Sequence, residues 1–212
     1  MKAAIGLFGI HYIEKLNHWM GWNPGVDFQL TFQNNKNSIY KFFDTTFYFS
    51  TYHSTKLGSA VSMYNPKKVK VNELQNYKPE EFNENFVRRN SRFLEVIDLI
   101  IKSQENYDIV IIKRFDLMIR SGKTFFDLNV DYSKINFLNR TGWGANKNLC
   151  DDNFYVFTLD QLVKFNDYIK NLNIKICSHE YKNYISEYEI NYMLDGFYYS
   201  HNNPFYYINR IY

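Results

Sequence analysis

The chain has 212 residues, of which 45% are hydrophobic and 22% charged. This fits one globular domain and excludes disorder over most of the length. Its 25 basic and 22 acidic residues leave a net charge of +3, too balanced for nucleic-acid binding to be read from field strength. No apolar run approaches the ~20 residues that span a bilayer, so no transmembrane segment is expected. Two cysteines, Cys150 and Cys177, supply neither a disulfide framework nor a zinc cluster and are expected to be free thiols.

The apolar run 3–10 reads as a buried parallel strand. It is not read as a secretory signal, because His11, Glu14 and Lys15 follow without a small-residue cleavage pattern. A reducing, cytoplasmic location is therefore expected. Residues 11–20 read as a short helix stopped by Gly21 and Pro24, and residues 26–32 fit no single period. The β-branched and aromatic run 45–52 reads as a strand. A helix is expected over 54–64, with Ser54 as N-cap and Asn65-Pro66 as stop, then a short strand over 68–71. The longest helical pattern covers 79–105, where Phe86, Phe93, Ile97, Ile100 and Ile101 recur at three- and four-residue steps. The run 108–112 (DIVII) is typical of a central strand. Strands at 136–138 and 154–157, a helix over 159–172 capped by Thr158, a helix over 186–194 closed by Gly196, and a strand at 205–208 complete the chain. This alternation predicts an α/β/α sandwich around a mostly parallel, Rossmann-like sheet, as one domain over residues 1–212.

Ligands of such sheets sit beyond the carboxyl ends of the strands, so the residues there are the candidates. Lys113-Arg114-Phe115-Asp116 follows DIVII. Asp116 suits a hard divalent cation and Arg114 a phosphate; alternatively the two form an Arg–Asp pair that ends the strand. Asp151-Asp152-Asn153 precedes the strand at 154–157. One Asp suits general-base work on a hydroxyl, and the alternative is an exposed turn. Phe8-Gly9-Ile10-His11-Tyr12 ends the first strand, and Gly9 permits close backbone approach to a ligand. Thr51-Tyr52-His53-Ser54 offers hydroxyls to a ribose or sugar. The arginines of the run 88–92 either neutralise a diphosphate or form a solvated helical face, and His201 is either a metal ligand or an ordinary loop histidine. GxxxxGK[ST], HExxH, GxSxG and CxxC are all missing from the sequence. P-loop NTPases, zincins, α/β-hydrolases and thioredoxin-like enzymes are thereby disfavoured.

In element order and in the segments FYFSTYHS, NYDIVIIKRFDLMI, INFLNR, DDNFYVF and SEYEINYML, the chain resembles the small GT-A-type glycosyltransferases of large DNA viruses and bacterial polysaccharide clusters. There a Tyr-Asp-hydrophobic-Arg-x-Asp segment stands in place of Asp-x-Asp, and an Asp-Asp-Gln/Asn-Phe segment follows. The resemblance implies a GT-A-like fold with a nucleotide-binding half over about 1–120 and an acceptor half over about 121–212. It implies a nucleotide-sugar donor such as a UDP-sugar, Mn²⁺ or Mg²⁺, and a glycan or glycoprotein acceptor, viral capsid protein included. It assigns the metal to Asp116 and the turn beside the nucleotide to Phe8, Gly9 and His11; the strand-end positions add Tyr12, Thr51, His53, Arg92 and Arg114 as candidates for the donor. The base for an inverting transfer is Asp152, with Asp151 beside it and Glu187 or Glu189 in reserve. One departure stands out: Arg114 occupies the place of the first Asp of Asp-x-Asp, leaving a single carboxylate for the metal.

Two other functions compete. A nucleotidyltransferase also uses such a sheet and a metal, but wants several carboxylates converging on it. A non-catalytic carbohydrate-binding protein would use the surplus of 19 Tyr and 19 Phe as a stacking surface. A/T-rich codons explain the same surplus without any function.

Overall fold

A strand whose residues are apolar on both sides can serve two cores at once, and the first strand does so. β1 (Lys2–Gly9) sends Ala3, Ile5 and Leu7 into one core and Ala4 and Phe8 into the other. The computed structural model describes residues 1–13, 26–73, 82–143, 146–172, 178–196, 198 and 202–208. After β1 come β2 (Tyr12–Ile13), β3 (Val26–Asp27), α1 (Phe28–Ser38), β4 (Asp44–Tyr52), α2 (Leu57–Tyr64) and β5 (Lys68–Asn72). Then follow α3 (Phe82–Ile101), β6 (Ile109–Arg114), β7 (Leu117–Ile119), β8 (Ile135–Phe137), β9 (Arg140–Trp143) and β10 (Asn146–Cys150). The last elements are β11 (Phe154–Phe157), α4 (Leu159–Ile169), β12 (Ile190–Tyr192) and β13 (Tyr206–Ile208).

Seven strands make one sheet in the order β12-β8-β11-β6-β1-β4-β5. All run parallel except β11, which is antiparallel to both β6 and β8. Residues of α1 and α2 pack on one face of this sheet, and those of α3 and α4 on the other. The alternation of the sequence therefore becomes a mixed α/β fold with helices on both faces. The chain lays β4 and β5 to one side of β1, then returns through α3 to lay β6 on the other. Strand order thus reverses beside β1, which makes the rim there the place for a ligand. No helix among the described residues is long and apolar enough to cross a membrane.

Much of the aromatic surplus lies inside. Phe49 meets Phe115 edge-on at 4.7 Å and Tyr40 meets Phe47 at 5.0 Å, while Phe8 meets Phe93 at 5.4 Å in the opposite core. Such pairs add ~0.5–1.5 kcal/mol each beyond burial. They act here as interior packing and not as a stacking surface.

Several elements differ from the sequence expectation. The helix α1 was hidden because its inward stripe is polar: Thr31, Asn35 and Ser38 are buried alongside Phe28. Asn35 Nδ2 donates to the carbonyls of Thr31 (2.8 Å) and Leu117 (2.9 Å), so this face needs no hydrocarbon. Tyr12–Ile13 is extended and pairs with Val26–Asp27 where a helix was expected from residue 11; residues 14–25 lie outside the described ones. The helix expected from Ser54 begins at Leu57 with Lys56 as its N-cap. The helix expected over 186–194 is a short turn at Glu187–Glu189 followed by β12, which pairs with β8 at the sheet edge. Sheet pairing overrides local propensity there. The helix α3 stops at Ile101, and Gln104 beyond it takes a left-handed φ of 57°. At α4 the expected cap is present: Thr158 accepts from Gln161 N, and the Gln161 side chain returns the bond.

The place where α3 crosses β1 has no room for a side chain on the strand. A Cβ at Gly6 would meet Ile100 Cδ1 at 3.1 Å and Val96 Cγ2 at 3.2 Å. This contact fixes how far α3 can carry its arginines toward the rim. Gly6→Val is expected to cost about 1–3 kcal/mol by overpacking, read as a lowered urea midpoint. An unchanged midpoint would show that the α3–β1 contact is not close-packed.

Candidate functional site

β1, β4, β6, β8 and β12 all end at one rim of the sheet, and β11 begins there because it runs the other way. The register sets Gly9 beside Thr51, Phe8 beside Arg114 and Lys113 beside Phe154. Three of the segments picked out in the sequence therefore meet: the end of β1, the end of β6 and the start of β11.

Arg114 and Asp116 form a two-pronged pair across the turn after β6. Arg114 Nε donates to Asp116 Oδ1 at 2.8 Å and Nη2 to Oδ2 at 2.5 Å. A second pair stands beside it: Arg89 of α3 meets Asp152 Oδ1 at 2.5 Å and donates to the Asp152 carbonyl at 3.0 Å. Asn153 joins the two, its Oδ1 accepting from Arg89 (3.0 Å) and Arg114 (3.5 Å). Its Nδ2 donates to Asp151 Oδ2 (3.1 Å) and to the Tyr206 hydroxyl (2.9 Å). Tyr206 in turn donates to Asp151 Oδ2 at 2.6 Å. Burial, and then the adjacent Asp151 carboxylate, push the Tyr206 phenol well above its usual range, so it stays a donor. Burial disfavours the Arg114 charge, but the charge and hydrogen bonds of Asp116 outweigh it, and the guanidinium stays protonated.

The two pairs share an orientation. The Arg89 and Arg114 side chains are 25% and 24% exposed, while the Asp152 and Asp116 side chains beneath them are 1% and 5% exposed. Each arginine side chain is therefore partly exposed, while the carboxylate it holds is covered. Planar forks held this way match phosphate oxygens.

Lys113 points to the opposite face from Arg114, as strand alternation requires. It is fully buried, and its Nζ donates to the Arg114 carbonyl at 3.0 Å. Burial pulls its pKa down to about 7, with the Asp116 charge lifting it partway back.

The histidine at the end of β1 sits in a closed relay. Thr51 Oγ1 donates to the Gly9 carbonyl at 2.8 Å, so it accepts from His11 Nδ1 at 2.7 Å. His11 Nε2 then accepts from Ser54 Oγ at 2.8 Å, and that oxygen also takes the Lys56 N–H at 3.2 Å. Neutral imidazole with its proton on Nδ1 satisfies every partner. Burial lowers its pKa from 6.5 to about 4. This relay is why Ser54 does not cap α2.

The remaining sequence candidates are dispersed. Phe8 is a core side chain against Phe93 and does not face the rim. Gly9 has a φ of 95°, and among the described residues nothing lies within 4 Å of where its Cβ would be, a backbone that permits close approach of a ligand. Tyr12 packs half-buried against the core beneath α1. His53 is exposed, with its backbone N–H on the Asn72 carbonyl at 2.8 Å. Arg92, expected on a diphosphate, instead spans both oxygens of Glu95 at 2.8 Å, and that carboxylate also takes Ser50 and Asn72. Cys150 is buried and free of any disulfide. The Arg88 side chain, Cys177 and His201 lie outside the described residues.

As folded, the Asp116 carboxylate does not fit a metal site, because Arg114 engages both its oxygens. Among the described residues no three His, Cys, Asp or Glu side chains converge as a metal-ligating group. Asp151-Asp152-Asn153, one reading of which was an exposed turn, is buried throughout. Of the reserve carboxylates, Glu189 pairs with Lys164 and Tyr168. Glu187 lines a pocket of about 450 Å³ beside β12, with Arg140, Lys182 and Tyr192.

Arg89 was read only within the run 88–92 and Asn153 only within the segment 151–153, while Tyr206 and the pocket residues other than Glu187 were not singled out from the sequence. For Arg89 a signal existed: it stands four residues before Phe93 and three after Phe86, on the buried stripe of α3 and not on its solvated face. Tyr206 carried none, since its role depends on a return of the chain from residue 202 onward. No protein-family model matches the chain, and no curated protein matches it.

His11 gives the site a defined pH response. Above the unfolded value of 6.5 both states are neutral and the full stability is present. Between 6.5 and about 4 the unfolded chain takes up a proton that the folded one refuses. That one group should remove about 2 kcal/mol between pH 7 and pH 5. Urea unfolding at the two pH values should show this loss in the wild type and a smaller one in His11→Gln. Equal losses in both would place the titration elsewhere.

Proposed function

We propose that this chain is a GT-A-like glycosyltransferase that moves a sugar from a nucleotide-diphosphate donor, a UDP-sugar, to a hydroxyl of a glycan or glycoprotein. Viral capsid protein is one such acceptor. The observation that carries the reading is the pair of partly exposed, carboxylate-held arginines, Arg89 and Arg114, at the rim where strand order reverses. The all-parallel strands β5, β4, β1 and β6 suit the nucleotide half of such an enzyme. The part containing the reversed β11 suits the acceptor half.

Transfer breaks the bond between the anomeric carbon and a phosphate oxygen, and negative charge builds on the departing diphosphate. Cations fixed in advance stabilise that charge without reorganising. Arg89 and Arg114 would fill this role, with Asp152 and Asp116 as positioning residues that hold the forks in place. The donor set does not fit a metal, so no step is assigned to Mn²⁺ or Mg²⁺. The anomeric centre gains oxocarbenium character, and a carboxylate takes the acceptor proton, an effect of about 10²–10⁴-fold. Asp152 lies beneath Arg89 and serves the guanidinium. The remaining candidate for that carboxylate is Glu187, which is exposed, stands three residues before β12 and lines the pocket.

A thermal-shift panel of UDP-, GDP- and dTDP-sugars tests the reading, because a ligand that binds only the native state raises apparent stability by RT ln(1 + [L]/Kd). A UDP-sugar is expected to raise Tm, and EDTA to leave the rise unchanged. Arg89→Lys keeps the charge but loses the fork, and should weaken donor binding roughly tenfold, about 1.4 kcal/mol. Glu187→Gln should keep donor binding and lower the transfer rate at least 10²-fold. If no nucleotide sugar shifts Tm, the proposal fails. Pyrophosphate release from a nucleoside triphosphate would point to a nucleotidyltransferase. Glycan binding without nucleotide affinity would point to a carbohydrate-binding protein.

A further inference from the structure

The pocket beside β12 holds about 450 Å³, within the ~300–1,000 Å³ usual for small-molecule sites. Its lining is mostly polar and carries two cations, Arg140 and Lys182, against one carboxylate, Glu187. The balance is one positive charge (two minus one). The Arg140 guanidinium lies over the Tyr192 ring at 4.9 Å, which fixes the plane of its fork. Lys182 is only 8% exposed, so its ammonium is held in the pocket wall and not in bulk water. Burial lowers its pKa, Cys150 and the Glu187 charge lift it partway back, and the Arg140 charge lowers it slightly.

The pocket adjoins the arginine rim through the chain itself. The buried Cys150 thiol hydrogen-bonds the Lys182 backbone, and Cys150 directly precedes Asp151 and Asp152. The other lining groups are an amide (Asn183), a phenol (Tyr192) and two aliphatic side chains (Ile185 and Ile190). They provide donors and acceptors for hydroxyl groups and a surface for C–H faces.

We propose that this pocket binds an acceptor saccharide bearing a carboxylate, a uronic acid unit, with its carboxylate between Arg140 and Lys182. The single net positive charge matches one carboxylate better than a doubly charged phosphate, and a planar guanidinium binds a carboxylate through two parallel bonds. The acceptor role rests on the proposed glycosyl transfer; the preference for an acidic sugar rests on the pocket alone.

Calorimetric titration of the whole chain separates the two. The probes are a uronic-acid disaccharide, the same disaccharide with its carboxyl reduced to the neutral alcohol, and UDP. The acidic disaccharide is expected to bind at least tenfold tighter than the neutral one. Arg140→Ala, at an exposed position, and Lys182→Met should each abolish that preference, whereas Lys182→Arg should retain it. UDP binding should be the same in all three variants. Equal binding of the two disaccharides, binding of neither, or a preference that survives both charge-removing variants overturns the assignment. Loss of UDP binding in Arg140→Ala also overturns it, because the pocket would then hold the nucleotide. A wild-type chain that prefers the acidic disaccharide but binds no UDP keeps the uronate site and rejects the donor reading.

Discussion

The two-pronged contact between Arg114 and Asp116 is the constraint on which the rim depends. It sits where the central strand β6 ends and is shielded from water on the carboxylate side. A buried pair of this kind adds little net stability over a hydrophobic one, but removing either partner leaves a charge stranded, at about 3–5 kcal/mol. Its value lies in geometry. The carboxylate below fixes the plane of the guanidinium above, and Asn153 couples that plane to Arg89. The sheet thus offers two forks at a set angle to whatever enters the crevice. Neither would be held so on a flexible surface side chain.

The same arrangement alters the meaning of the acidic residues. A carboxylate at a strand end reads from sequence as a metal ligand or a proton acceptor, because those are the chemistries in which such a residue touches substrate. Here the structure puts the carboxylates one layer further in, with arginines between them and the solvent. The alternative weighed for Lys113-Arg114-Phe115-Asp116, an Arg–Asp pair closing a strand, describes the observed contact.

The apolar framework was readable because its signals are local. DIVII, FYVF and the first strand are runs that only a sheet buried on both faces requires, and α4 announces itself through Thr158 and Gln161. What escaped was polar and long-range. The inward face of α1 is Thr31, Asn35 and Ser38, so the hydrophobic period that marks a helix was missing. β12 exists through its pairing with β8, more than fifty residues earlier in the chain, and its own sequence looks helical. At the rim, Asp116, Asp152, His11 and Thr51 were found because each follows or precedes a strand. Arg92 was chosen over Arg89 without use of the helical period, and the partner of Arg92 turned out to be Glu95. Tyr206 and Asn153 join the site through contacts that no spacing encodes.

The single reversed strand has one more consequence. Because β11 runs against its neighbours, the chain leaves the rim at the end of β8 and comes back to the same rim at Asp151. Everything between, the β9–β10 hairpin, is tethered at both feet to the sheet and spans no strand of it. An excursion anchored in this way can lengthen, shorten or change composition without disturbing the sheet register or the arginine forks. Selection for new partners can therefore act on this appendage while the chemistry next to it is inherited unchanged.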